Sequence, residues 1–228
     1  MIGVKLIAPA VGAAVVSCAL AFGVTPPSSG ATPPSGSSAP GGVTGATAPG
    51  GATVLASQVS SRNVLLDHSV AVSGTLEPSQ GLDTVVLQER TAAGWRTVGE
   101  TPDVIGGFLL RFRPNVLGLH AMRLRIVGAT GVATVSTPSV DVFHKVLASW
   151  YGLGGRTACG QELTTGTLGV ANKTLPCGTR VTLHYRHRWL QVPVIDRGPY
   201  VAGRAYDLTY ATKRALGAGD LTEVWANH

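Results

Sequence analysis

Val192-Pro193-Val194-Ile195-Asp196-Arg197-Gly198-Pro199-Tyr200, followed by Gly203-Arg204-Ala205-Tyr206-Asp207-Leu208-Thr209, sets two carboxylates eleven positions apart around a glycine-proline turn. The alternating apolar residues predict a strand. Asp196 stands at its end, where Arg197-Gly198-Pro199 turns the chain, so its carboxylate can face a cleft. Asp207 returns on a second short extended piece. A turn-opening Asp196 and a helix-starting Asp207 account for the same residues, and the local sequence does not separate the two readings. Residues 209–216, closed by Gly217, read as one short helix with Thr209 as its cap.

Upstream of this stretch stand three further blocks: Ala148-Ser149-Trp150-Tyr151-Gly152, then Thr157-Ala158-Cys159-Gly160-Gln161-Glu162-Leu163, then Leu168-Gly169-Val170-Ala171-Asn172-Lys173-Thr174-Leu175-Pro176-Cys177-Gly178-Thr179-Arg180-Val181. In their order and spacing the four blocks resemble the double-psi β-barrel domain of rare lipoprotein A, a family of septal lytic transglycosylases of bacteria, and more distantly the expansin and barwin barrels. The resemblance spans residues 146–228. It implies a six-stranded barrel with one or two short helices, and a groove that holds a glycan strand, here peptidoglycan, with Asp196 and Asp207 both in the groove.

The residues themselves suit that chemistry. Breaking a glycosidic bond needs a proton on the leaving oxygen and stabilisation of positive charge at the anomeric carbon, which is work for carboxyl groups in different environments. In a lytic transglycosylase one acid protonates the bond and then, as base, takes the proton from the sugar's own 6-hydroxyl, so a single carboxyl suffices. Asp196 is read as this acid/base, with Asp207 its partner. Tyr200, lifted by the turn, is a platform for a sugar ring. Arg197, on the strand end beside Asp196, points away from it toward structure or toward a substrate carboxylate.

Two positions depart from the family pattern. Where the family has glutamate the chain has Gln161, with Glu162 one place later; where it commonly has histidine the chain has Asn172. An amide exchanges no proton near neutral pH, and on a strand Glu162 would face away from the groove. Gln161, Glu162 and Asn172 are therefore read as substrate-binding positions. Two functions stand: a lytic transglycosylase that leaves 1,6-anhydro-muramyl ends, or a noncatalytic, expansin-like module that binds or loosens the wall.

The chain has three cysteines. Cys159 and Cys177 lie in two of the motif loops, and in a secreted chain they are expected to form a disulfide. No CxxC pair or metal-type spacing is present, so neither metal nor cofactor is expected. His184 and His187 read as solvent-facing residues of a hairpin, and Trp150, Tyr151 and Trp225 as core residues closing the first and last barrel strands.

The rest of the chain reads as all-β. Residues 52–145 hold short apolar runs at even spacing, at 69–74, 84–88, 107–112, 122–126 and 140–143, separated by turn residues, which predicts an immunoglobulin-like sandwich with a spacer or binding role. Trp95 in this half reads as a core residue, with sugar stacking as the rival reading. Residues 24–51, dominated by Pro, Gly, Ser, Ala and Thr, read as a linker, and 1–23 as a secretory signal peptide. Val15-Val16-Ser17-Cys18 also resembles a lipobox, which makes Cys18 a lipidation candidate and a lipid anchor to the membrane the alternative to free secretion. Either way the expected place is outside the cytoplasm, secreted or in the cell envelope. The net charge of +6 lies mostly in residues 146–228, with nine Lys or Arg against five Asp or Glu. That balance suits anionic wall polymers as well as peptidoglycan, and secretion excludes nucleic acid as a partner.

Overall fold

The computed structural model describes residues 41–43, 46–47 and 53–228, except 78–81, 130 and 153. The signal-peptide reading, Cys18 and most of the linker lie outside the described residues. In chain order the strands are β1 (Gly41–Val43), β2 (Ala46–Thr47), β3 (Thr53–Val59), β4 (Asn63–Leu65), β5 (Val70–Glu77), β6 (Asp83–Thr91), β7 (Gly94–Val104), β8 (Gly107–Phe112), β9 (Gly118–His120), β10 (Met122–Gly128) and β11 (Gly131–Ser136). They continue with β12 (Val140–Trp150), β13 (Val170–Ala171), β14 (Arg180–Tyr185), β15 (Arg188–Asp196), β16 (Arg204–Leu208) and β17 (Leu221–Ala226); helix α1 (Tyr210–Leu216) lies between the last two.

The first half is built from two sheets, β1-β3-β5-β8 with β2 added on β3, and β11-β10-β6-β7. Period-two patterning explains why they close on each other. Phe108, Leu110 and Phe112 alternate with exposed neighbours on β8, and join Val70 and Val72 of β5, Val85 and Leu87 of β6, and Leu124 and Ile126 of β10 in one core. Two expectations change here. Gly41–Val43 and Ala46–Thr47, placed in the linker, pair with β3, because main-chain hydrogen bonding to a strand requires no large side chain. Trp95 is not in the core: it is half-buried, with the guanidinium carbons of Arg123 and Arg90 at 4.2 and 5.6 Å from its ring centroid.

β12 runs through the expected domain boundary at 145/146 without a break. Its first part pairs with β4 and β9, and from His144 onward it pairs with β17. Around this crossing the barrel's outer wall is aromatic. Phe143 is fully buried, with Trp189 edge-on at 5.1 Å and Trp225 at 6.3 Å, and His184 stacks on Trp189 at 3.9 Å. Asn227 accepts from the amide of Thr182 at 2.8 Å and donates to both carboxylate oxygens of Asp141 at 3.1 Å. Trp225 thus lies on the outer wall and not in the barrel core, and His184 is half-buried under a neighbouring ring; strand alternation turns both outward, and Phe143 gives them something to cover.

The second half is a closed six-stranded barrel in the order β16-β13-β15-β14-β17-β12, with β12 and β16 pairing to complete the ring. Closure removes sheet edges, and inward residues of each strand, among them Ala148, Val170, Leu183, Val192, Val194, Tyr206, Leu208 and Val224, fill the centre. Helix α1 is capped as its sequence predicts. The Thr209 side chain accepts from the Thr212 amide, and Gly217 takes the left-handed conformation at φ 72° that ends the helix.

Candidate active site

Strand register builds the site. Ala171 lies opposite Asp196 on its β15 side and opposite Asp207 on its β16 side, and Asp207 lies opposite Ser149 of β12. Asp196, Ala171, Asp207 and Ser149 therefore form one row across four strands. Val170, Ala148, Tyr206 and Leu208 point into the barrel, so Ala171, Ser149 and Asp207 face its outer wall, and a shift in register between Val170 and Ala171 sets Asp196, at the very end of β15, beside Ala171. The two aspartates are two strand spacings apart, ~9.5 Å between Cα atoms, with the methyl of Ala171 between them. Both are half-buried.

Asp196 holds a loop. Its Oδ1 accepts from the backbone amides of Ala158 and Arg197, each at 2.8 Å, while Cys159 N–H donates to the Ile195 carbonyl at 3.2 Å. The loop is tied a second time by the disulfide between Cys159 and Cys177. Arg197 turns away from Asp196: its Nη1 donates to the carbonyls of Asn172 at 3.1 Å and Leu175 at 2.8 Å, and its Nη2 lies 3.3 Å from Cys177 Sγ. The guanidinium serves the loop's structure.

Asp207 has different company. Ser149, a residue only 4 % exposed, donates its hydroxyl to Oδ1. Gly198, at φ 133°, passes over the other oxygen: a Cβ there would lie 3.6 Å from Asp207 Oδ2, 3.8 Å from the Ala171 methyl and 3.9 Å from Tyr200 Cε2. The turn thus gathers Asp207, Ala171 and Tyr200 into one small region, and Tyr200 stands 83 % exposed at its lip. Tyr151, expected in the core, is on the outer side with Ser149. Its amide donates to the Leu208 carbonyl at 3.1 Å, and its hydroxyl is enclosed without a hydrogen-bond partner among the described residues. Burial first, then the charges of Asp196 and Asp207, push its pKa up, so the phenol keeps its proton.

The three remaining sequence candidates are placed as follows. Asn172 is half-buried and committed to backbone: its Oδ1 accepts from the amides of Thr174 at 3.0 Å and Leu175 at 2.8 Å, and its Nδ2 donates to the Ala205 carbonyl at 3.1 Å. Gln161 and Glu162 are exposed and lie in the disulfide-tied loop, where an isolated antiparallel backbone β-bridge pairs Glu162 with Arg156. Strand alternation does not govern their direction there, contrary to expectation. Neither side chain hydrogen-bonds to Asp196 or Asp207 among the described residues.

Gly169 shows how tightly the wall behind Asp196 is packed. A Cβ on it would meet Ile195 Cδ1 and Cγ1 at 2.6 Å, and its amide and carbonyl are both bonded to the Thr212 hydroxyl at 2.9 Å. Gly169→Ala is expected to destabilise the barrel by roughly 1–3 kcal/mol, the usual range for overpacking. Thermal melting of the purified variant checks this; an unchanged transition would mean that Ile195 repacks freely.

Residues 144–223 match the double-psi β-barrel family model described as "Lytic transglycolase". The chain is 42 % identical over 76 residues to the "Probable endolytic peptidoglycan transglycosylase RlpA" of Synechocystis, and 41 % identical over 75 residues to the protein of the same name from Aquifex aeolicus. It is 41 % identical over 68 residues to the "Endolytic peptidoglycan transglycosylase RlpA" of Campylobacter jejuni. These matches cover 31 %, 31 % and 28 % of this chain, and only 24 %, 33 % and 25 % of the respective relatives.

Proposed function

We propose that the barrel cleaves the glycan strands of peptidoglycan by lytic transglycosylation and works outside the cytoplasm. The observation that carries this is the register row Asp196, Ala171, Asp207 and Ser149, with Tyr200 gathered beside Asp207 by the turn at Gly198. It supplies two carboxyls in unlike settings next to an exposed ring. The match of residues 144–223 to the lytic transglycolase family model and the chain's similarity to proteins named endolytic peptidoglycan transglycosylases support the substrate class, and the leader-like 1–23 segment supports the location.

The hydrogen-bond partners divide the labour between the carboxyls. Asp196 Oδ1 is held by two backbone N–H groups, which can only donate, so this group is suited to remain a fixed acceptor that steadies positive charge. Asp207 is paired with a hydroxyl, which donates to a carboxylate and, by rotating, accepts from a carboxylic acid. Asp207 can therefore lose and regain a proton without losing its partner. The acid/base role moves from Asp196, where sequence alone put it, to Asp207.

In the reaction Asp207 gives its proton to the glycosidic oxygen as the bond to the anomeric carbon breaks. The resulting carboxylate takes the proton of the sugar's 6-hydroxyl as that oxygen closes on the anomeric carbon. The proton count is restored and no water is consumed. Tyr200 offers its face to a neighbouring ring.

Digestion of purified sacculi, intact and stripped of stem peptides, tests the proposal. Release of 1,6-anhydro-muramyl products is expected. Binding to sacculi with no anhydro product would instead establish the noncatalytic wall-binding reading.

A further inference from the structure

Tyr151 is not explained by the roles assigned so far. It stands two positions beyond Ser149 on the outward side of the chain leaving β12, next to the strand that carries Asp207. Its hydroxyl is enclosed, yet has no partner among the described residues. Enclosed hydroxyls are normally satisfied, and each exception calls for an explanation. A phenylalanine would fill the same space without an unmet polar group.

The groups around it restrict what the hydroxyl can do. Arg197 is engaged with the carbonyls of Asn172 and Leu175, Ser149 with Asp207 Oδ1, and the amides of Ala158 and Arg197 with Asp196 Oδ1. Tyr200 lies across the turn with its ring toward solvent. Among the described residues Asp196 Oδ2 and Asp207 Oδ2 accept no hydrogen bond, and the Tyr151 hydroxyl is an enclosed donor without a partner. Both aspartates are close enough for their charges to act on the phenol, and together with burial they keep it protonated.

We propose that Tyr151 is a positioning residue of the groove, whose unpartnered hydroxyl turns to donate to the uncommitted oxygen of Asp196 or Asp207 when that group is ionised and so favours the charged form of the carboxyl it reaches. The proposal rests on the glycan-cleaving reading for its purpose but not for its geometry. A donor to a carboxylate stabilises its charged form, so the carboxyl that Tyr151 reaches carries the charge more readily than its neighbour.

The test uses the full chain with its disulfide intact. The side-chain carboxyl carbons of Asp196 and Asp207 are followed by nuclear magnetic resonance through an acid titration, in the wild type and in Tyr151→Phe. At least one of the two titration curves is expected to move to higher pH in the variant, since a donor to its ionised form has been removed. With sacculi as substrate, kcat is expected to fall about tenfold or more, the effect of one hydrogen bond to a charged group, with KM unchanged.

Two unmoved titration curves overturn the proposal, whatever the sacculi show. A wild-type protein that releases no anhydro product refutes the glycan-cleaving reading instead, and leaves the titration to decide on Tyr151. Should Tyr151→Phe fail to fold, 3-fluorotyrosine is introduced throughout a Tyr200→Phe chain, giving a stronger donor of nearly the same shape. The same curve then moves to lower pH if the hydrogen bond forms, and its staying in place overturns the proposal.

Discussion

Replacing Asp207 by asparagine is expected to reduce release of 1,6-anhydro-muramyl products by roughly 10²–10⁴-fold, the usual contribution of a positioned acid/base group, without unfolding the barrel. Asparagine is nearly the same size and still accepts the hydrogen bond of the Ser149 hydroxyl, so the β12–β16 pairing persists. What is lost is the transferable proton. Asp196→Asn provides the contrast. Its amide oxygen still accepts from Ala158 and Arg197, so the loop stays anchored, and only the charge is removed. A smaller loss is expected there. Product analysis on sacculi with melting curves for both variants checks the pair. An active Asp207→Asn beside an inactive Asp196→Asn would return the acid/base role to Asp196.

Removing the disulfide with Cys159→Ser and Cys177→Ser carries the largest expected cost in stability. The bridge joins residues 18 apart in sequence, and closing a loop of about that length contributes about 3 kcal/mol in the chain-entropy model. For a chain of this size that corresponds to a melting temperature lower by roughly 6–12 °C. Activity is expected to fall as well. The freed loop carries Ala158, whose amide holds Asp196, and Arg197 loses its contact with Cys177 Sγ. Calorimetry of the double variant checks the first effect and sacculus digestion the second. An unchanged melting temperature would show that the loop is held by its hydrogen bonds alone.

Much of the barrel was legible because its signals are local. The alternation through Val192, Val194 and Asp196, the Thr209 cap and the Gly217 stop each act within a few residues, and the structure places strand, cap and stop where they were expected. The two aspartates stood out through the blocks around them, since on their own a turn-opening and a helix-starting role explain them equally well. Ser149 and Tyr151 were missed although their block had been singled out. Reading Trp150 and Tyr151 together as core overlooked that adjacent residues on a strand face opposite ways. Trp150 packs against the barrel core, so its neighbours face the groove. The two-sheet half was less legible: β7 contains Gly99 and an irregular register against β6, which hide its alternation.

Pairing and partnership could not be read from the chain. That Ala171 lies between Asp196 and Asp207, and Ser149 beside the latter, depends on which strands meet when the barrel closes. These strands are distant in sequence, and no periodicity encodes their register. The same holds for Asn172, whose amide is committed to backbone, and for Arg197, whose guanidinium braces a loop. By itself the sequence determined which residue types are available for glycan chemistry and on which kind of element they lie, because those depend on side-chain chemistry and local backbone preference. Only the tertiary structure decided which carboxyl is held by fixed donors and which by a hydroxyl that can reverse, because hydrogen-bond partners are set by long-range contacts that no single segment contains.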